Sequence, residues 1–314
     1  MTSIQSHILD FGIRRANFFG GKKVDPQGLR RRADRMAGAI RLHKNVRVAP
    51  VDAGPVPSEW LIPQDAPEDR ALLYLHGGAW FMGSARVYRA FVSRLAHASR
   101  VRALVIDYRL APEHPFPAGL DDCMAAYEWL RQNGNPPSKI VVAGDSAGGN
   151  LTLALLVALR DAGRPLPAGA VALSPATDLA GTGESRRTHL HLDPFFSNMK
   201  PNTIIEDYIT SHDPRDPLIS PLFADPSGLP PLLIHVGDHE MLLDDAVRFG
   251  DRAGAAGVQV KTVVWAGMFH VFQMFDPFLP EAREANRQIA TFIRSLLDDN
   301  SAPSEATLPD RRFS

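Results

Sequence analysis

Cysteine is nearly missing from this chain: its 314 residues hold one, Cys123. A single thiol closes no internal disulfide and leaves no CxxC pair to frame a zinc ion, which makes a reducing, cytoplasmic setting the default. Cys123 lies in a helix-like stretch beside Asp122 and Met124 and reads as core filler. Charge of one sign is equally scarce. Thirty-four Lys and Arg face thirty-five Asp and Glu, a formal charge of -1, so the overall field favours neither nucleic acid nor an anionic membrane as a partner. No run approaches the roughly 18 apolar residues of a membrane span, and the longest, 153–159, reads as a buried helix. Residues 1–23 lack the charged-then-apolar order and the small-residue cleavage site of a signal peptide. They read as an amphipathic helix packed on the body of the protein, with contact at a membrane surface the lesser alternative and without stable membrane insertion. No internal repeat is visible.

What is present is a regular alternation. Hydrophobic types make up 45% of the chain and charged types 22%, enough apolar material for a large buried core. Short runs rich in β-branched residues, at 46–51, 58–62, 71–75, 102–107, 139–143, 170–174, 232–236 and 258–265, read as strands. Helical patterns fall near 87–99, 120–132, 147–161, 243–256 and 281–297. The fold class is therefore α/β, a mainly parallel eight-stranded sheet flanked by helices. The first two strands, joined by Gly54-Pro55, are expected to pair as an antiparallel edge. Two stretches interrupt the rhythm: residues 1–45 are Arg-rich and strandless, and 181–225 carries five prolines. Both are expected to form a helical cap above the carboxyl ends of the strands, where α/β proteins bind ligands. The core is then split into 46–180 and 226–299, and 300–314 reads as a disordered tail. The last strand leaves a sheet edge free, which suits a homodimer.

The chemistry is carried by Gly144-Asp145-Ser146-Ala147-Gly148, placed between an apolar strand and a long apolar helix. A G-x-S-x-G in that setting is a nucleophile elbow, a turn so sharp that glycines are needed for clearance and the serine hydroxyl is left exposed at its tip. A serine alone is a weak nucleophile and needs a base, an orienting acid and oxyanion donors. His270 is the base candidate, because it follows the last strand on the Ala266-Gly267-Met268-Phe269 loop, downstream of an acid. That is the Ser, acid, His order of α/β-hydrolases. The acid is less defined: Asp238 and Glu240 both flank the turn after the seventh strand, and spacing does not choose between them. Asp244 and Asp245 read as favourable charge at a helix N-terminus. Backbone donors are expected from His76-Gly77-Gly78-Ala79-Trp80, directly after the third strand, together with the amide of Ala147.

These motifs together resemble the bacterial hormone-sensitive lipase family of esterases. The resemblance rests on His76-Gly77-Gly78-Ala79-Trp80, on the block from Asp107-Tyr108-Arg109 to Phe116-Pro117-Ala118, on Gly144-Asp145-Ser146-Ala147-Gly148-Gly149, and on Ser174-Pro175-Ala176-Thr177-Asp178-Leu179, in that order over roughly 45–297. It implies an α/β-hydrolase core, a helical cap, and hydrolysis of short acyl esters without a cofactor. It also implies Glu240 as the acid, since Glu240-Met241-Leu242-Leu243-Asp244-Asp245 fits the family's pattern in a subgroup that carries Glu. Ala79 departs from the commoner third glycine, which leaves Gly77 and Gly78 as the expected donors beside Ala147.

The three prolines of the Asp107 block fix an extended loop, with Arg109 and Glu113 expected to pair within it and His114 to pack. Asp145 is expected to brace the elbow. Trp80, Phe81 and Phe269 are candidate substrate contacts. The partner is a small ester. A lactone hydrolase, an amidase using the same triad and a non-catalytic ligand receptor on the same fold are the competing readings. His189 and His191, near Asp193, lack the framework of a metal site.

Overall fold

A computed structural model describes residues 2–16, 25–37, 41–197 and 203–298; the expected tail at 300–314 lies outside them. The strands are β1 (Val46–Ala53), β2 (Val56–Pro63), β3 (Ala71–Leu75), β4 (Arg102–Ile106), β5 (Ile140–Asp145), β6 (Gly169–Leu173), β7 (Leu232–Gly237) and β8 (Val260–Trp265). They form one sheet in the order β1-β2-β4-β3-β5-β6-β7-β8. β1, β2 and β4 pair antiparallel and the rest are parallel. This is the architecture of an α/β-hydrolase.

Five helices cover the sheet: α3 (Ala85–Ser99), α4 (Ala118–Gln132), α5 (Ala147–Asp161), α8 (Leu243–Ala255) and α9 (Pro280–Leu297). The alternation of side chains along each strand divides the core into two layers. Leu73 and Leu75 of β3 and Val142 of β5 face Tyr127 of α4, Leu151 and Leu155 of α5 and Phe249 of α8. Leu72, Tyr74 and Val141 face the other way, toward Phe91 and Leu95 of α3 and Ile289 and Ile293 of α9. Each such buried side chain contributes roughly 1.5–3 kcal/mol. Cys123 is fully buried in the first layer.

Four further helices lie outside this frame: α1 (Ile4–Ala16), α2 (Pro26–Ala37), α6 (Ser185–Thr188) and α7 (Thr203–Ile209). Helix α1 lies within the stretch 1–23 expected to pack on the body, of which 17–23 fall outside the described residues; it buries only Ser6 and Ile13, while α2 buries no residue fully and half-buries Leu29, Ala33 and Ala37 on one face. Two expected contacts are corrected. Arg109 forks onto Asp122 of α4, while Glu113 pairs with Arg30 of α2; the loop, expected to be extended, instead turns at 111–114, where the His114 amide donates to the Leu110 carbonyl. His114, expected to pack, is exposed on this loop. Among the described residues no helix is long and apolar enough to cross a membrane.

The strand order creates the site. From β3 the chain moves outward to β4, then returns across β3 to β5, so connections leave β3 and β5 in opposite directions. A crevice opens at such a switch point, beyond the carboxyl ends of the strands. The His76-Gly77-Gly78 loop and the Ser146 turn flank it.

Candidate active site

Ser146 sits between β5 and α5 with φ 54° and ψ −118°. A non-glycine residue there costs on the order of 1–3 kcal/mol, and the surrounding backbone enforces it. A Cβ at Gly148 would stand 2.0 Å from the Leu75 carbonyl oxygen, and one at Gly144 would stand 2.3 Å from that of Gly148. Only glycines allow β5, the turn and α5 to approach this closely. Four more non-glycine residues near the site share positive φ: Ala79, Trp80, Ser174 and Val271.

His270 Nε2 lies 2.9 Å from Ser146 Oγ, and its Nδ1 lies 2.9 Å from Glu240 Oε2. Glu240 is fully buried and His270 is 6% exposed. The other carboxylate oxygen, Oε1, accepts from Ser174 Oγ at 2.8 Å and from the Gly237 amide at 2.6 Å. With both oxygens engaged, Glu240 is directed at Nδ1, leaving Nε2 to accept from the serine hydroxyl. Asp238, the alternative acid, instead accepts from the Gly267 amide at 2.5 Å and braces the histidine loop. Ser174 was not singled out by sequence reasoning as a site residue; its place after β6, in the Ser174-Pro175 motif, was the available signal.

Burial acts to lower the His270 pKa, but the Glu240 hydrogen bond and charge, supported by the charges of Asp193 and Asp145, outweigh it and raise it above 6.5. Asp193 is itself buried, and burial beside Glu240 pushes its carboxyl up to about 7 despite the opposing charge of His270. Its oxygens accept from the Phe195 and Met241 amides.

Asp145 joins the elbow to the loop opposite. It accepts from Tyr74 Oη at 2.8 Å, Tyr88 Oη at 2.9 Å and the Gly77 amide at 3.1 Å. Burial raises its pKa to about 6, with these donors and His270 pulling the other way. The Gly77 amide is therefore committed to Asp145, which corrects its expected role as an oxyanion donor. The amides of Gly78, Ala79 and Ala147 form no hydrogen bond among the described residues. Gly78 has φ 117° and its absent Cβ would stand 2.2 Å from the Met82 carbonyl oxygen, so the loop needs glycine at this point. His76 stacks on Tyr108 at 4.3 Å, and burial lowers its pKa to about 4, making it a neutral post behind the loop.

A cavity of about 60 Å³ adjoins Ser146. Its walls are Ala79, Trp80, Ala176, Leu179, Phe196, Ile205, Met241 and Leu242, with Arg186 the only charged residue among them. Of the expected substrate contacts, Trp80 lines it, whereas Phe81 and Phe269 do not. Phe269 is drawn into a cluster with Ile13 of α1, Phe272 and Leu279, and Phe81 is buried with its carbonyl held by Arg30. Phe196 meets the His270 ring at 4.9 Å.

The walls contributed from outside the sheet are fastened by polar contacts. Arg186 forks onto buried Asp245, the Ser185 amide donates to Asp244, and Arg248 pairs with Asp178. Tyr208 of α7 stacks on Trp80 at 4.5 Å, and Arg30 donates to the Phe81 and Ala111 carbonyls. Arg14 of α1 donates to the His191 and Leu192 carbonyls. Among the described residues, no group of three or more His, Cys, Asp or Glu is arranged to hold a metal ion.

The profile of a family described as "alpha/beta hydrolase fold" matches residues 72–274. An acetyl-hydrolase of Streptomyces hygroscopicus is 43% identical over 254 residues, covering 80% of this chain and 85% of that protein. A solved esterase from the bacterial hormone-sensitive lipase family is 42% identical, with a TM-score of 0.89, covering 95% of this chain and all of that one. The structure of EstE5 soaked with p-nitrophenyl butyrate has a TM-score of 0.89 at 38% identity, covering 94% and 99% of the two chains.

Proposed function

This chain belongs to the hormone-sensitive lipase family of α/β-hydrolases and is a carboxylesterase, and from that premise we propose that it cleaves short-chain acyl esters through Ser146, His270 and Glu240. The observation that carries the proposal is the 2.9 Å contact on each side of the His270 ring. His270 Nε2 takes the hydroxyl proton as Ser146 Oγ bonds to the ester carbonyl carbon. The carbonyl oxygen becomes an oxyanion, and the uncommitted amides of Gly78, Ala79 and Ala147 receive it. Each such donor is worth about 10²–10³ in rate. Collapse breaks the ester C–O bond, and the leaving alkoxide takes its proton from His270. Water then repeats the cycle on the acyl-enzyme, with His270 as base, and releases the acid. Glu240 holds the ring in place and stabilises the imidazolium that forms.

Short acyl chains follow from the cavity. A water-sized group needs about 10–15 Å³ of such space, so 60 Å³ accommodates a handful of them. Of the two stretches expected to form a cap, 181–225 supplies Arg186, Phe196 and Ile205 to the cavity walls. The acyl ester soaked into EstE5, a butyrate, is of the size this cavity accepts. The test is a panel of p-nitrophenyl esters of rising chain length, with a lactone and an anilide beside them, combined with fluorophosphonate labelling. Acetate and butyrate should be cleaved fastest, and labelling should disappear in Ser146→Ala. Preference for long acyl chains or for the lactone would refute the substrate reading, and labelling at another residue would refute the nucleophile.

A further inference from the structure

Helix α1 presents its stronger apolar face to solvent. Ile4, Ile8 and Phe11, spaced to stack along one side of the helix, are 76%, 65% and 67% exposed. The opposite side carries the weaker set, Ser6, Leu9 and Ile13. That side lies against Met268, Phe269 and Phe272 of the histidine loop and against Ala282 and Ala285 of α9. The rotation is fixed at both ends. Ser3 donates through its amide and hydroxyl to Glu281, and Arg14 donates to the two carbonyls at 191–192. The exposed stripe is thus held outward by specific polar contacts.

Cationic residues are concentrated in the same stretch of sequence. Arg15, one turn beyond Phe11, continues the exposed stripe. Residues 1–45 contain ten Lys and Arg against three Asp, while the remaining residues contain 24 Lys and Arg against 32 Asp and Glu. A nearly neutral chain therefore gathers its positive charge in this segment. We propose that the outer face of α1 docks on an anionic lipid surface, with Ile4, Ile8 and Phe11 in the acyl boundary and Arg15 at headgroup level. An apolar stripe that ends in the cationic Arg15 suits an interfacial helix lying in the membrane plane, and the thirteen residues of α1 are too few to span it. A second copy of the chain fits the face less well. A two-fold contact would set α1 against α1 and bring two basic segments together. The proposal concerns a surface and does not depend on which residue attacks the ester.

Co-sedimentation of the full chain with vesicles tests it, using phosphatidylcholine mixed with phosphatidylglycerol against phosphatidylcholine alone. The mixed vesicles should bind at least about tenfold more protein, and added salt should weaken that binding. Replacing both Ile8→Glu and Phe11→Glu should lower partitioning by about tenfold or more, and Arg15→Ala by roughly fivefold. Hydrolysis of a soluble short ester should be unchanged in these variants, which reads the reaction separately from docking. Equal partitioning of wild type and the double variant would overturn the proposal, as would failure to bind the mixed vesicles. A dimer that the double variant dissolves, without vesicle binding, would assign the face to a second copy.

Discussion

Every residue of β3, β5, β6 and β7 is buried, whereas helix α2 buries none of its twelve. The first region is held by apolar packing spread over many side chains, the second by single polar fastenings such as Arg30 on the Phe81 and Ala111 carbonyls. The groups proposed to react are all carried on strand ends: Ser146 after β5, Glu240 after β7 and His270 after β8. The walls that shape the cavity come partly from a third stretch, the 181–225 insertion outside the sheet, through Arg186, Phe196 and Ile205. Positioning of chemistry thus rests on the buried strands, and selection of substrate partly on residues added from outside them, so one can be perturbed without the other.

The sharpest test of that separation is Ser146→Ala, which removes one oxygen from a packed frame. kcat/KM for a short ester should fall by about 10⁴–10⁶ while the thermal melt stays close to that of wild type. His270→Ala should do as much damage, and the double variant no more, because the pair acts as a unit. A converse perturbation is Ile293→Ala in α9, fully buried beneath the sheet. Chemical denaturation should register a loss of about 2–5 kcal/mol, with the folded fraction retaining near-normal turnover; a collapse of kcat at full folding would break the separation. Arg30→Ala is a smaller change aimed at the outer region. It removes the fastenings to the oxyanion loop and the partner of Glu113, so KM should rise several-fold with a stability change of about 1 kcal/mol or less.

The finest distinction is in the pH profile. His270 must be neutral to accept the serine proton, and its pKa is raised above 6.5. Acidification therefore protonates it early, and kcat/KM should fall through a midpoint above 6.5. Asp193 contributes to that rise, so Asp193→Asn should move the midpoint to lower pH. A midpoint at or below 6.5 in wild type, or an unmoved limb in the variant, would refute this account of the histidine's environment.

Local signals made much of this readable in advance. The elbow could be recognised because its strand, glycines and helix are contiguous in the chain, and the central strands because their buried residues are written as apolar runs. What escaped depended on partners distant in sequence. Spacing left Asp238 and Glu240 equivalent; the orientation of Glu240 is determined by Ser174, 66 residues away, and by the Gly237 amide. Gly77 was indistinguishable from Gly78 until the reach of Asp145 across the crevice was known. Helix α2 is hard to read because its half-buried apolar face, Leu29, Ala33 and Ala37, is sparse among arginines.

One carboxylate has a further consequence. Asp145 precedes the attacking serine in the chain and also grips the opposite loop through Gly77, with Tyr74 and Tyr88 from β3 and α3 completing its shell. The gap that a bent, charge-bearing intermediate must fill is thereby spanned by a single clasp of fixed length. Thermal breathing of the outer helices can widen the doorway without altering that gauge.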